Sequence, residues 1–319
     1  MENKLRVSIT GASGLLGTFM AKILSKEGHQ IKCHRNTSPI PKELIDYNFN
    51  WVQGDIRNEY IIDELLDNCD LVVHCAAMVS FDKKDFGLMM EVNVEGTKRL
   101  VDNLIGKQIK LIHISSIAAL GRVDNGGAID ENVLFNTEIK NTAYAQSKYF
   151  SELEVHRGIA EGIHAMVLSP SVILGNNERT TSSATIWNQI LKFPQFAPQG
   201  ANGFVDVRDV VKAANACLKN WKSGVKFIIN GYNLPYVDLY NMVLKYKGSH
   251  KKASKISPRT LLFILPIAKF FFFLTRTSSK ISKEAIVSTS KSYSYDNGKS
   301  INELDLKYLE IEDSLKAYL

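Results

Sequence analysis

Apolar and amphipathic segments alternate along the first half of the chain, and their order predicts an α/β fold. Five short apolar runs are typical of buried strands: Leu5–Ile9, Gln30–His34, a run ending at about Val52–Ile56, Leu71–His74 and Ile109–Ile114. Segments with helical periodicity separate them, and the first of these continues to about Lys26. Because strands that alternate with helices usually lie parallel, we expect a parallel sheet covered by helices on both faces.

A glycine-rich turn joins the first predicted strand to the first predicted helix. It reads Thr10-Gly11-Ala12-Ser13-Gly14-Leu15-Leu16-Gly17, with glycine at every third position. Gly11 allows a tight turn, Gly14 lets the backbone approach a pyrophosphate, and Gly17 lets helix and strand pack closely. The helix N-terminus adds N–H groups and a positive dipole that favour phosphate. The turn therefore predicts a dinucleotide site.

Arg35 follows the second predicted strand, where an NAD site would have an acidic residue for the ribose 2′-hydroxyl. A guanidinium suits a 2′-phosphate and can also stack on adenine. The sequence thus favours NADP(H) over NAD(H), and an ordinary solvated surface arginine is the competing interpretation.

Tyr144 and Lys148 are four positions apart, so they lie on one face of a helix one turn from each other. A nearby ammonium favours the phenolate, which would lower the pKa of the tyrosine and fit it for general acid or base catalysis. The hydroxyl of Ser116 could hold a carbonyl oxygen beside that phenol. The spacing alone is weak, because it also occurs on many solvated helices.

Motifs over about the first two-thirds of the chain resemble, in order, those of extended short-chain dehydrogenases/reductases, within the NAD-dependent epimerase/dehydratase superfamily. The chain most resembles the branch of dihydroflavonol-4-reductase and 3β-hydroxysteroid dehydrogenase, through Ser115-Ser116-Ile117-Ala118-Ala119-Leu120-Gly121. The other carriers are the glycine turn, Gly54-Asp55, His74-Cys75-Ala76-Ala77, Asn93 within Val92–Thr97, Tyr144–Lys148, Pro170–Gly175 and Phe204–Val210.

The resemblance implies a Rossmann-type doubly wound sheet, a catalytic triad and a set of cofactor contacts. The triad would be Ser116, Tyr144 and Lys148. Asp55 would contact adenine, Ala76 and Ala77 would line the cofactor, and the backbone from Pro170 to Val172 would meet the nicotinamide. Further cofactor contacts are expected at Thr10, Ser13, Leu15, Leu16, Ile56, Met78 and Asn93. Ser169 departs from the family pattern, because many members have arginine before that proline.

The implied function is an NAD(P)H-dependent oxidoreductase that acts on a small carbonyl or alcohol with an apolar part. A dehydratase is disfavoured, because Ile117, Ala118 and Ala119 bring no carboxylate beside Ser116. A nucleotide-sugar epimerase on the same triad stays open, as does a non-catalytic NAD(P)-binding sensor.

The composition and the cysteines indicate the size of the core and the cellular compartment. The 319 residues are 45% hydrophobic, enough for a large core. The first strand begins almost at once, which leaves no room for a signal peptide, and the four cysteines lack metal or disulfide spacing. We therefore expect a cytoplasmic protein with free thiols. The seven scattered histidines suggest no metal site, and no motif indicates nucleic-acid binding.

We expect two lobes: residues 1–170 as the nucleotide-binding domain, and 171–319 mainly as a smaller α+β substrate-binding lobe. Residues 204–230 and the last helix, near Glu312–Tyr318, should pack back on the main sheet. Helices at about 85–105 and 142–160 are the pair through which family members commonly form a two-fold dimer, so a homodimer is a further expectation.

One segment falls outside the family pattern. Residues 245–283 contain ten Lys or Arg and no Asp or Glu, around the apolar run 261–274. That run is too short to span a bilayer. Three interpretations compete: a helix packed on the lobe or lining the substrate pocket, a peripheral membrane contact, and a basic rim that steers an anionic substrate such as a coenzyme A ester.

Overall fold

Seven parallel strands form the central sheet of the computed structural model. The structure describes residues 4–123, 126–139, 141–175, 187, 190–274 and 282–319, with the backbone alone for 267–274. The sheet order is β11-β7-β5-β4-β1-β2-β3. Its strands are β1 (Arg6–Thr10), β2 (Gln30–Arg35), β3 (Asn50–Gln53), β4 (Leu71–His74), β5 (Lys110–Ile114), β7 (His164–Pro170) and β11 (Lys226–Ile229).

Helices cover both faces of this sheet, which confirms the predicted doubly wound α/β fold. They are α1 (Leu15–Lys26), α2 (Glu59–Leu66), α3 (Phe86–Met89), α4 (Gly96–Leu104), α5 (Ala143–Ala160) and α6 (Val207–Lys219). A π-helix, Met90–Glu95, joins α3 to α4. One apolar cluster lies between the sheet and α1 and α6, and a second lies under α2, α4 and α5. Because the seven strands are parallel, the loops that follow their carboxyl ends all lie at the same edge of the sheet.

The second lobe is built on a smaller sheet in the order β12-β10-β8. Its strands are β8 (Val172–Leu174), β10 (Ala201–Asp206) and β12 (Tyr232–Pro235), while two-residue β6 (Ala128–Ile129) pairs with β14 (Ser294–Tyr295). β9 (Phe196–Pro198) pairs with β13 (Ser254–Ile256). Its helices are α7 (Tyr236–Tyr246), α8 (Pro258–Leu274), α9 (Lys283–Ser290), α10 (Gly298–Leu304) and α11 (Ile311–Tyr318).

The last helix packs its apolar side chains in the second lobe and also contacts helix α6 of the main domain, where Arg208 donates to the carbonyl of Asp313. Ile311 and Leu315 of α11 join the apolar cluster of the second lobe, beside Phe204 and Tyr236. The segment just before α11 contacts the main core instead, through Leu306 and Tyr308. The apolar face of α11 is thus buried against the smaller sheet. Strand β11 and helix α6 belong to the main sheet and its apolar cluster, whereas residues 204–206 end strand β10 of the smaller sheet.

Within the described parts of the chain, no helix combines the length and the apolar content needed to cross a bilayer. Cys33, Cys69, Cys75 and Cys217 are all free thiols.

Candidate active site

The glycine turn packs so closely that side chains cannot be added without displacing backbone. Gly11 has φ +65°, and a Cβ there would lie 2.8 Å from Ala76 Cα. A Cβ on Gly17 would lie 2.3 Å from the carbonyl oxygen of Gly11. The turn is closed by a hydrogen bond from Gly14 N to Gly11 O at 2.9 Å.

Helix α1 begins directly at this turn with a bare N-terminus. Gly14 is the N-cap, no side chain caps the helix, and its first turn has no acidic residue. Leu15 is buried, while Ser13 and Leu16 are partly exposed. The backbone N–H groups and the helix dipole therefore form a cradle that fits a pyrophosphate, as the sequence predicts for a dinucleotide.

Thr10 ties the glycine turn to the loop after β4. Its buried hydroxyl accepts a hydrogen bond from Ala76 N at 3.0 Å and bonds with His74 Nδ1 at 2.7 Å. The side chain of Thr10 therefore holds the glycine turn against the loop after β4. Ala76 and Ala77 remain accessible at the edge of the sheet.

Arg35 ends β2 beside the glycine turn, because Ala12 N donates to the carbonyl of the adjacent His34. Its guanidinium donates to the carbonyl of Ser38 at 2.9 Å and to the side-chain oxygen of Gln53. Its Nε is buried without a partner among the described residues. Since both acceptors are neutral, the positive charge stays available to an anion.

Asp55 and Ile56 follow β3 and differ in what they can offer. The carboxylate of Asp55 is held by Arg57 at 2.7 and 3.0 Å, and this guanidinium lowers the pKa of Asp55. The side chain of Ile56 is buried in the second apolar cluster, so only its backbone could meet a nucleotide.

Asn93 lies in the π-helix and joins two parts of the site. It exchanges hydrogen bonds with the backbone of Met78, at 2.7 and 2.9 Å. It also donates to Ser147 Oγ at 2.9 Å, and Ser147 donates to the carbonyl of Tyr144. π-turns often occur at functional sites. Here the turn fixes the loop after β4 relative to α5.

Ser116, Tyr144 and Lys148 come together where β5 ends against α5. Ser116 lies close enough to the phenol of Tyr144 to act on its pKa, and both side chains are partly exposed. Lys148 is only 3% exposed, and its Nζ donates to the carbonyl of Ile114 at 2.7 Å. The two hydroxyls therefore face the open side, with the amine behind them.

The electrostatics differ from the sequence expectation. Burial raises the pKa of Tyr144, the neighbouring Ser116 hydroxyl opposes this rise, and Lys148 is not among the described groups that act on it. The physical reason is the position of the amine, which is drawn to a backbone carbonyl. Burial in turn lowers the pKa of Lys148 to about 8.

Glu152 is a site residue that the sequence analysis missed. It is buried, accepts a hydrogen bond from Ser115 Oγ at 2.6 Å, and forms an ion pair with Lys226. Its charge also opposes the lowering of the pKa of Lys148. Tyr144, Lys148 and Glu152 recur every four positions on α5, which is the signal that could have identified it.

A buried polar chain lies beneath the site. It runs from His74 Nε2 to Thr97 Oγ1 at 3.1 Å, on to Ser151 Oγ at 2.9 Å, and to His113 Nε2 at 3.4 Å. Burial lowers the pKa of His74 to about 3 and that of His113 well below its usual range. Both imidazoles are therefore neutral, and their hydrogen bonds connect β4 and β5 to α4 and α5.

Pro170 ends β7, and Val172 opens β8 with a partly exposed side chain. Ser169 and Ser171 on either side of the proline are buried, and neither hydroxyl has a partner among the described residues. Ser169, which stands where many family members have an arginine, therefore forms no side-chain hydrogen bond with the described residues. Phe81 adds an apolar surface, since its ring centroid lies 6.3 Å from that of Tyr144.

Comparisons with known proteins agree with this geometry. A family model described as NAD dependent epimerase/dehydratase family matches residues 7–231. A Synechocystis sp. protein named after dihydroflavonol 4-reductase is 26% identical, over 96% of this chain and 91% of the relative. Cinnamoyl-CoA reductase 1 of Arabidopsis thaliana is 26% identical, over 65% and 64%. The crystal structure of gox2253 shares the fold, with a TM-score of 0.82 at 24% identity, over 98% of this chain and 96% of that one.

Proposed function

The chain belongs to the NAD-dependent epimerase/dehydratase family of extended short-chain dehydrogenases/reductases, and on this premise we propose that it is an NADPH-dependent carbonyl reductase. The family acts on small-molecule substrates with an NAD(P) cofactor. The observation that carries the finer proposal is the pairing of the Ser116 hydroxyl with the phenol of Tyr144, both open to a substrate while Lys148 is buried behind them.

In the proposed reaction, Tyr144 donates its phenolic proton to the carbonyl oxygen while Ser116 donates a hydrogen bond that orients that oxygen. Bound reduced nicotinamide supplies the hydride that completes the alcohol. Because burial raises the pKa of Tyr144, the phenol keeps its proton at neutral pH, which suits a proton donor in reduction. Lys148 holds the end of β5 through Ile114 and so fixes Ser116 relative to Tyr144.

The residues that would hold the cofactor are the backbone of the glycine turn for the pyrophosphate and Arg35 for the 2′-phosphate. Ala76, Ala77, the backbone of Met78 and the backbone of Pro170 to Val172 would complete the contacts. Arg35 supports NADP(H) because its charge is not neutralised by a carboxylate in the described part of the chain.

An apolar substrate is proposed because the surfaces near the triad are apolar. Phe81 lies beside Tyr144, and Val172, in the loop-and-strand segment expected at the nicotinamide, keeps a partly exposed apolar side chain. Nucleotide sugars would find few polar partners on such a wall. The similarity to a relative named as a cinnamoyl-CoA reductase also supports an apolar substrate.

The direct test is to incubate the protein with NADPH and a panel of aromatic, steroid-like and acyl aldehydes and ketones, following absorbance of the reduced cofactor. Stoichiometric alcohol formation with at least one compound is expected. In a parallel incubation with nucleotide sugars and NAD⁺, isomerisation without net change in the cofactor would instead identify an epimerase. Tight NADPH binding without turnover on any compound would identify a sensor.

The Tyr144→Phe variant tests the acid assignment. We expect kcat to fall roughly 10²- to 10⁴-fold, because the proton donor is lost while the ring still packs. NADPH affinity, measured by fluorescence titration, should change less than about twofold. A variant that keeps near-parental kcat would contradict the role of Tyr144.

The Arg35→Gln variant tests the cofactor preference. Loss of a charge-assisted hydrogen bond should lower kcat/KM for NADPH about 10- to 100-fold and leave that for NADH nearly unchanged. Arg6→Gln is the matched control, since Arg6 begins β1 at the opposite end of the sheet. Equal loss with both cofactors would argue against a 2′-phosphate contact.

A further inference from the structure

Helix α8 leaves apolar side chains on the surface of the second lobe. Phe263 is 77% exposed and Ile264 is 44% exposed. Among the α8 residues whose burial is described, Pro258–Pro266, none is buried and none joins an apolar cluster of the protein. Helix α8 contacts α9, but Phe263 and Ile264 on this half of the helix belong to no apolar cluster and are left facing water.

Basic side chains surround the start of this helix. Lys251, Lys252, Lys255 and Arg259 are exposed, and none forms an ion pair with a carboxylate in the part of the chain that the structure describes. They belong to the block of ten Lys or Arg without Asp or Glu over 245–283. Arg276 and Lys280 of that block lie outside the described residues.

An exposed aromatic on the neighbouring strand extends the surface. Strand β13, which carries Lys255, pairs with β9, and Ser254 lies opposite Phe196. Phe196 is 56% exposed. Apolar and basic groups thus come from two separate segments that the fold places side by side.

We propose that this basic apolar face (Phe196, Lys251, Lys252, Lys255, Arg259, Phe263 and Ile264) docks on the surface of an anionic lipid bilayer. The lysines and arginine face the lipid phosphates, and the phenylalanines and isoleucine enter the boundary between headgroups and acyl chains. The seventeen residues of α8 measure about 25 Å and include Pro266 and Lys269, so the helix lies on the bilayer and does not cross it.

Charge selects this partner over a second copy of the chain. A two-fold contact through the face would bring two sets of unpaired lysines together, whereas a bilayer of acidic lipids neutralises them all. The apolar residues exclude a purely electrostatic partner, because they gain free energy only where water is removed.

The test is co-sedimentation of the full chain with sucrose-loaded vesicles of phosphatidylcholine alone or with 30 mol% phosphatidylglycerol (roughly the charge density at which polybasic segments bind). Binding is expected to the anionic vesicles at low salt and to weaken strongly at high salt. Phe263→Ser should reduce binding about tenfold, while Leu134→Ser, at an 86% exposed apolar residue outside the face, should not.

Charge variants complete the design. Replacing Lys251 and Lys252 by Gln should weaken binding about fivefold per residue, and Lys107→Gln, an exposed lysine on the main domain, should leave it unchanged. Circular dichroism and NADPH binding confirm that each variant is folded, and reductase activity in solution should not change.

Three results would overturn the proposal. They are no binding to anionic vesicles at low salt, equal binding by the Phe263→Ser and Leu134→Ser variants, and a dimer in sedimentation velocity without lipid that Phe263→Ser abolishes. The last result would assign the face to a second copy. None of them bears on the reductase assay, so the two proposals fail separately.

Discussion

At the residue scale, the candidate site depends on where each polar atom finds its partner. The sequence placed Tyr144 and Lys148 on one face of a helix, which is how they lie on α5. It did not show that Lys148 would bond to Ile114 O, because that acceptor belongs to a strand 34 residues away. Whether the amine of Lys148 acts on the phenol of Tyr144 therefore depends on tertiary contacts. That the two side chains share one face of α5 depends only on their spacing in the sequence.

Lys148 yields a prediction for the pH dependence of stability. Its pKa is lowered from 10.5 to about 8 in the folded chain, because burial disfavours the ammonium. Below pH 8 the lysine is charged in both states and the buried charge costs stability. As pH rises from 8 to 10.5, the folded state releases a proton that the unfolded state keeps, so this group's contribution to stability increases.

The Lys148→Met variant should lose this increase. The difference in unfolding free energy between parent and variant should shift by about 2 kcal/mol in favour of the parent from pH 7 to pH 9.5. Urea unfolding at several pH values measures it. Parallel pH profiles for the two proteins would contradict a lowered pKa at this lysine.

At the element scale, the contact between the glycine turn and α1 is the clearest link from sequence to structure. The spacing of three glycines predicted the turn, because each lets backbone approach backbone. The π-helix between α3 and α4 gave no comparable signal. It follows from the fit of Asn93 between Met78 and Ser147, which are distant in the chain.

The Gly17→Ala variant tests this packing. The added methyl would lie 2.3 Å from Gly11 O and 2.7 Å from Ala12 Cα, so the turn must move. We expect a loss of about 2 kcal/mol or more in unfolding free energy and at least tenfold weaker NADPH binding. In contrast, Gly87→Ala, where a Cβ meets nothing within 4 Å, should be neutral or slightly stabilising. Similar losses in both variants would refute the steric argument.

At the scale of the whole molecule, Asp206 joins the two lobes. Its buried carboxylate ends β10 and accepts hydrogen bonds from Arg208 of α6 at 2.8 and 2.9 Å. From α11 it accepts Ser314 Oγ at 2.5 Å and Tyr318 OH at 3.0 Å. These partners are more than a hundred residues apart in the chain, so one side chain couples the main domain to the C-terminal helix.

The Asp206→Asn variant should therefore destabilise both lobes together. Loss of the charge leaves Arg208 poorly paired, and we expect a cost of about 2 to 3 kcal/mol, with fluorescence and circular dichroism reporting a single coincident transition. Asp238→Asn, at an exposed position on α7, should stay within about 0.5 kcal/mol. Separate transitions for the two probes would show that the lobes unfold independently.

The class of fold and the family could be predicted from the amino-acid sequence, because strand and helix periodicity and glycine spacing are local properties of the chain. The sequence also indicated which residue types could perform the chemistry. Tertiary packing was needed to show that Glu152 bonds to Ser115, that the apolar face of α11 packs in the second lobe, and that Phe263 and Ile264 of α8 stay exposed. Each of these depends on partners distant in sequence, and no local pattern specifies which of several apolar or charged surfaces a segment will meet.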